Sequence, residues 1–186
     1  LDTQLYPTLA DHVVGEAVLF PGAGFTELAL AAALQYQPGA HAEVEALEIR
    51  APLLLNASPA KKIRVRIDAS DGSVTIASRT YGQDEPWTLH AVARVRVEAR
   101  GHSLSFAAPA VPLRPADLDA QAHLALTRAA GLRYGPAYQA IDAAWIDGEQ
   151  VIARLRLPVE IINELDTLHL HPALLDCAFQ LITPLL

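Results

Sequence analysis

Residues 25–36 form a helix by their spacing, and that helix is apolar on nearly every side. Phe25, Leu28, Ala29 and Ala32 share one face, Leu30, Ala33 and Leu34 share a neighbouring one, and Glu27 is the only charge. A helix of this kind has to be buried. Its many alanines let other backbone approach closely, so the expected cover is a sheet curled around it.

The helix is entered through Pro21, Gly22 and Gly24, and residues 13–20 before them read as a strand with Glu16 as the only charge. His12 stands at the head of that run. The layout can hold an imidazole beside a helix N-terminus, where free N–H groups point outward. Four strand candidates follow the helix: residues 43–56 (broken at Pro52), 62–69, 73–80 and 87–98. In the second, Ile63, Val65 and Ile67 alternate with Lys62, Arg64 and Arg66. In the fourth, Leu89, Ala91, Ala93, Val95 and Val97 fall inward. Asp71-Gly72 is a hairpin signal, and alternation with short turns predicts antiparallel sheet.

Residues 100–115 are linker-like, with Pro109, Pro112 and Pro115, and residues 116–130 read as a helix stopped by Gly131. A turn, Tyr134-Gly135-Pro136, feeds a strand over 140–146. Asp147-Gly148 makes a second hairpin, and Val151, Ala153, Leu155 and Leu157 alternate against Arg154 and Arg156. A second helix entered through a proline, Pro172, covers residues 173–182. The second half thus repeats the architecture of the first.

The chain is 52% hydrophobic and 19% charged, which favours a folded chain over disorder. Its net charge of -7 argues against nucleic acid as a partner. Cys177 is the only cysteine, so no internal disulfide forms, in keeping with a reducing, cytoplasmic setting. No apolar run reaches the ~18 residues of a membrane span. The ends look cut, as in a fragment of a longer polypeptide.

Among residues able to do chemistry, Asp176 stands out, because its helix is otherwise apolar or small apart from Gln180. Such surroundings are expected to raise its proton affinity, and Gln180, four residues on, can hydrogen-bond it. A carboxylic acid held by an amide suits general-acid work. The competing reading is a polar pair facing solvent. His12 alone is as readily structural as catalytic, and Tyr134 belongs to a common turn composition. His169 and His171 form a His-x-His pair without convincing further ligands, so no metal is expected. Cys177 reads as a buried, inert thiol. His41, His90, His102 and His123 sit at polar or exposed-looking positions and carry no clear signal.

Together these motifs resemble the dehydratase domain of modular polyketide synthases. His12 and Pro21 match His-x-x-x-Gly-x-x-x-x-Pro, with Gly22 continuing it. Tyr134, Gly135 and Pro136 match Tyr-Gly-Pro, and His171 through Gln180 match His-Pro-Ala-Leu-Leu-Asp with Asp-x-x-x-Gln. Leu157-Pro158 also fits. One departure is Glu16 in the place of the motif glycine, with Gly15 one residue early.

The resemblance implies an α+β double hotdog, two units each wrapping a helix in antiparallel sheet, with the second unit truncated. Residues 1–107 would form the N-terminal hotdog, 108–131 a linker and helix, and 132–186 a partial C-terminal hotdog carrying the Asp helix. It further implies dehydration of 3-hydroxyacyl thioesters borne on the phosphopantetheine of an acyl carrier protein. His12 would be the base and Asp176 the acid, with Gln180, Tyr134, Gly22, Pro21 and His171 binding or orienting the substrate. No metal or redox cofactor is called for. Expected partners are the carrier protein and neighbouring ketosynthase or ketoreductase domains, with a homodimer among the possibilities and neither nucleic acid nor membrane. Double-bond migration, pyran formation, chain branching and a purely docking or structural module are the alternatives.

Overall fold

In the computed structural model, residues 1–55, 59–98 and 107–185 are described. A 3-10 turn, Pro7–Asp11, leads into two short strands, β1 (His12–Val14) and β2 (Ala17–Val18). They form an antiparallel hairpin with Val14 opposite Ala17. The single strand expected over residues 13–20 is therefore folded back on itself. Gly15, with φ of 61°, supplies the left-handed backbone that a two-residue hairpin needs. Its N–H donates to Gly131 O at 2.8 Å, and its carbonyl accepts from Arg133 Nη2. Among the described residues Ala46 is the only non-glycine at positive φ, so Glu16 needs no glycine conformation. The turn is made one residue early and tolerates the glutamate.

Helix α1 (Gly22–Tyr36) follows, with Pro21 at its N-cap. Strands β3 (His41–Ile49), β4 (Lys61–Ile67), β5 (Ser73–Thr80) and β6 (Thr88–Glu98) form an antiparallel sheet in the order β3-β6-β5-β4. It wraps α1: Phe25, Ala29 and Ala33 pack with Val74, Ile76, Ala91, Ala93 and Val95, and Ile63, Val65 and Ile67 join them as their alternation predicts.

Two local expectations fail here. The strand over 43–56 ends at Ile49, after a register shift between Glu45 and Glu48. Beyond it Leu54 makes a single bridge with Leu19, and Asn56 lies outside the described residues. In β6, Leu89 is 41% exposed while His90 is buried. The cause is a register shift opposite: Ile76 pairs with Ala91, but Ala77 pairs with Leu89. One slipped residue exchanges the two faces of a strand. His90 then sits inside, bonded to Ser78 Oγ at 2.7 Å and Ala51 O at 3.1 Å.

The second half contributes β7 (Leu118–Asp119), α2 (Ala120–Ala129), β8 (Leu132–Tyr134), β9 (Ile141–Asp147), β10 (Gln150–Leu155) and α3 (Pro172–Gln180). The helix expected from residue 116 begins later because Asp119 caps it, accepting from Ala122 N at 2.8 Å. Asp117 instead accepts from Arg114 and from Ile146 N. Residues 107–117 are irregular, and the earlier part of the linker, with His102, lies outside the described residues. Strands β10-β9-β7 form a second antiparallel sheet. Cys177 of α3 packs against it with Ala140, Ile141 and Ala153. Leu155, past a register shift, and Leu157 are exposed rather than inward.

Two helix-and-sheet units thus stand side by side, a double hotdog, with α1 touching α3. A third small sheet, β2-β1-β8, joins them and sets His12 directly opposite Tyr134. Glu27, the single charge of α1, is buried and clasps the other unit: its two carboxylate oxygens accept from His169 N at 3.1 Å and Leu170 N at 2.7 Å. Replacing Glu27 by glutamine removes the charge and sets an amide donor against one of those N–H groups. The expected cost is about 2 kcal/mol in urea unfolding; a loss near zero would mean the clasp is idle.

Candidate active site

The site is assembled where β1, β8 and α3 meet. His12 heads β1 and is buried, as are Asp176 and Gln180 on α3 and Tyr134 at the end of β8. His12 Nε2 lies 3.5 Å from Asp176 Oδ1. Asp176 and Gln180 face inward as a pair, so the solvent-facing reading of the helix is excluded.

The imidazole is oriented by its other nitrogen. Nδ1 stands 3.0 Å from Leu19 O. A carbonyl only accepts, so Nδ1 carries the hydrogen, and neutral His12 presents a bare Nε2 lone pair toward Asp176. The β1–β2 hairpin makes this bond possible by folding Leu19 back beside His12. Two aromatic rings flank the imidazole: Tyr134 at 5.7 Å and Tyr138 at 5.3 Å between centroids, with the tyrosines stacked on each other at 6.1 Å. Burial, and then the Asp176 carboxylate, push both phenols above their ordinary range. They stay protonated hydroxyls at any physiological pH. Tyr138 carried no signal of its own in the sequence; only its place on the turn after Pro136 brings it to His12.

Asp176 is held from behind. Gln180 Nε2 donates to Asp176 Oδ2 at 3.1 Å and to Tyr138 O at 3.1 Å. Gln180 Oε1 faces His123 Nε2 at 3.2 Å. His123, on α2, stands at a polar or exposed-looking position in the sequence and is 1% exposed in the fold. The amphipathic phase of α2 turns it inward. Burial lowers its pKa, so its ring is neutral at neutral pH.

The Tyr-Gly-Pro turn is clasped by Asp11, the residue before His12. Asp11 O accepts from Gly135 N at 2.8 Å and Asp11 Oδ2 from Ala137 N at 2.9 Å. Nothing in the spacing of residues 11 and 135 could have disclosed this. Cys177 is fully buried, and burial lifts its thiol to about 11 from 9.0. Alkylation of folded protein at mildly alkaline pH is expected to run about a hundredfold slower than for a free cysteine peptide, from the thiolate fraction alone. Labelling at the free rate would contradict the buried placement.

Gly22 and His12 line one side of a cavity of about 270 Å³ at the start of α1, together with Phe20, Ile49, Arg50 and Pro52. Pro21 is buried at the α1 N-cap, extended at φ −63° and ψ 144°. His171 is buried and bonded through both ring nitrogens within the chain. Its Nδ1 accepts from Ala173 N at 3.2 Å and caps α3, and its Nε2 lies 3.2 Å from Glu164 Oε2. His169 joins the Glu27 clasp through its backbone. No group of three or more His, Cys, Asp or Glu side chains is placed to hold a metal among the described residues. No helix among them is long and apolar enough to cross a membrane.

Residues 1–81 match the polyketide synthase dehydratase domain family, and residues 107–186 match the polyketide synthase dehydratase N-terminal domain family. Mycoketide-CoA synthase of Mycobacterium tuberculosis is 38% identical over 97% of this chain, which spans 4% of that protein. Polyketide synthase GfsE of Streptomyces halstedii is 35% identical over 97% of the chain, which spans 5% of it. Among solved structures, the dehydratase domain from the terminal module of the rifamycin polyketide synthase superposes with a TM-score of 0.79 at 30% identity, covering 98% of this chain and 67% of that one. The dehydratase domain from the CurK module of the curacin polyketide synthase gives 0.79 at 26% identity, covering 97% and 66%. The chain thus spans a few per cent of the curated synthases and about two thirds of the solved dehydratase domains. Since each half matches a polyketide synthase dehydratase family model and the chain superposes at 30% identity on a solved dehydratase domain across nearly its whole length, the chain belongs to the polyketide synthase dehydratase domains.

Proposed function

We propose that this chain eliminates water from a 3-hydroxyacyl thioester, leaving the α,β-unsaturated thioester. The reading rests above all on the buried approach of His12 Nε2 to Asp176 Oδ1 at 3.5 Å. In a 3-hydroxyacyl chain the two reacting groups sit on neighbouring carbons: an acidic proton on C2 and a hydroxyl on C3. A base and an acid this close together can reach both.

His12 Nε2 takes the C2 proton, for which its tautomer leaves the lone pair free. The C–H electron pair becomes the C2–C3 double bond as the C3–O bond breaks. Asp176 gives its proton to the departing hydroxyl, which leaves as water. Because Gln180 donates to Oδ2, the proton of the acid form belongs on Oδ1, the oxygen nearer His12. The step ends with an imidazolium beside a carboxylate, and one proton transfer restores both. Gly22, at the α1 N-terminus beside the 270 Å³ cavity, is positioned for its backbone N–H to meet the thioester carbonyl as enolate charge develops. Tyr134 lines the site and offers a hydroxyl donor near Asp176. Substrate arrives on the phosphopantetheine arm of an acyl carrier protein, in a cytoplasmic assembly with other synthase domains. The relatives include CurK dehydratase mutants named inactive, one changed from aspartate and one from histidine.

The test is incubation of the full-length protein with a synthetic 3-hydroxyacyl carrier-protein thioester, followed by mass spectrometry. Loss of one water supports the reading. No loss with any chain length or C3 stereoisomer sinks it, and turns attention to isomerisation, branching or docking.

A further inference from the structure

We infer that His123 is a positioning residue for the acid: it locks the Gln180 amide so that the donor side of that amide faces Asp176. The inference deepens the dehydratase reading and rests on it for its kinetic part.

The argument is one of donors and acceptors. Tyr138 O can only accept, and it lies 3.1 Å from Gln180 Nε2, so the NH₂ end of the amide points that way. The same NH₂ reaches Asp176 Oδ2 at 3.1 Å. The carbonyl end, Gln180 Oε1, is thereby turned to His123 Nε2 at 3.2 Å. An amide oxygen only accepts, so His123 must carry its hydrogen on Nε2. Its Nδ1 is then a bare lone pair, and that atom is buried without a hydrogen-bond partner among the described groups.

A leucine or phenylalanine on this face of α2 would avoid that unpaired nitrogen. The histidine is worth its cost only for the donor it offers at Nε2. Without that donor, Gln180 Oε1 would be an orphaned acceptor in the interior, the amide would be held by its NH₂ end alone, and a turn of the amide would set its oxygen toward the carboxylate. Oxygen against carboxylate repels. The NH₂ would then no longer claim Oδ2, and the acid proton would lose its assignment to Oδ1, the oxygen beside His12. A chain of His123, Gln180 and Asp176 thus carries orientation from α2 to the reacting proton.

The first arm of the test needs no catalysis. Side-chain amide resonances of Gln180 are followed by NMR in the full-length protein and in His123→Leu, with ring-nitrogen shifts reporting the His123 tautomer. Expected are an Nε2-protonated His123 and displaced or broadened Gln180 amide signals in the variant. An Nδ1-protonated ring, or unmoved Gln180 signals, overturns the inference whatever the enzyme does. The second arm is kinetic. His123→Leu should lower kcat for dehydration about tenfold with KM changed less than about twofold, the scale of one lost hydrogen bond at the reacting group. His123→Gln, which can return a side-chain N–H donor, should recover much of that loss. In a Gln180→Leu background His123→Leu should cost nothing further. An equal loss in both backgrounds would mark a merely structural histidine and overturn the inference. Failure of the unmutated protein to dehydrate any substrate would sink the dehydratase reading and leave the first arm to decide this one.

Discussion

His12→Ala is expected to lower dehydration about a thousandfold, with Asp176→Asn close behind, on the scale general acid–base groups contribute. The two substitutions act differently. Alanine removes the Nε2 lone pair and leaves Leu19 O without its Nδ1–H donor, so some stability is lost with the activity. Asparagine keeps the shape of Asp176 and an oxygen to accept from Gln180, but it has no proton to give. Asp176→Asn should therefore melt within a few degrees of the parent while losing its turnover. Combining the two should cost little more than either alone, because base and acid act in one step. Rates are read by mass spectrometry of the carrier-protein thioester. An Asp176→Asn variant that keeps even a tenth of its activity would remove the carboxyl from the mechanism.

Gly135→Ala is expected to cost about 3 kcal/mol and to take activity with it. Gly135 has ordinary extended backbone at φ −80° and ψ 179°, so strain in φ is not the reason. A β-carbon there would overlap the Asp11 carboxylate, including its Cγ and Cβ. Asp11 cannot swing aside cheaply, since its Oδ2 holds Ala137 N and its backbone oxygen holds Gly135 N. Pushing it moves the residue next to His12 and the turn that carries Tyr134 and Tyr138. A lowered melting temperature together with lost turnover is the expected pair of results. A variant with parental melting and parental rate would show that the turn has room to spare.

The departure that most separates this chain from the family pattern, Glu16 in place of glycine, loses its force at the backbone. The hairpin needs one residue of positive φ, and Gly15 provides it. The hydrogen bond that matters, Nδ1 of His12 to Leu19 O, spans the hairpin and is made regardless.

What could be read from residues alone was whatever is local or periodic. The apolar, alanine-rich α1 required a wrapping sheet and has one. The alternation of Ile63, Val65 and Ile67 placed them inward, and the prolines at 21 and 172 marked helix entries. His12 and Asp176 were legible as candidates because three motifs stood in order. What escaped was set by register and by contacts across the chain. One slipped pair in β5–β6 turned Leu89 out and His90 in, an event that depends on the partner strand and not on residues 88–98. His123 looked like one more polar position on a short helix; its value lies wholly in Gln180, 57 positions away. Asp11 and Gly135 meet only because β1 and β8 pair. Side-chain identity and spacing determined the two units, and the motif resemblance singled out His12 and Asp176 as candidates for base and acid. The tertiary structure alone decided which nitrogen of His12 is free, which oxygen of Asp176 faces it and what holds each there, because hydrogen-bond direction is a property of partners brought together in space.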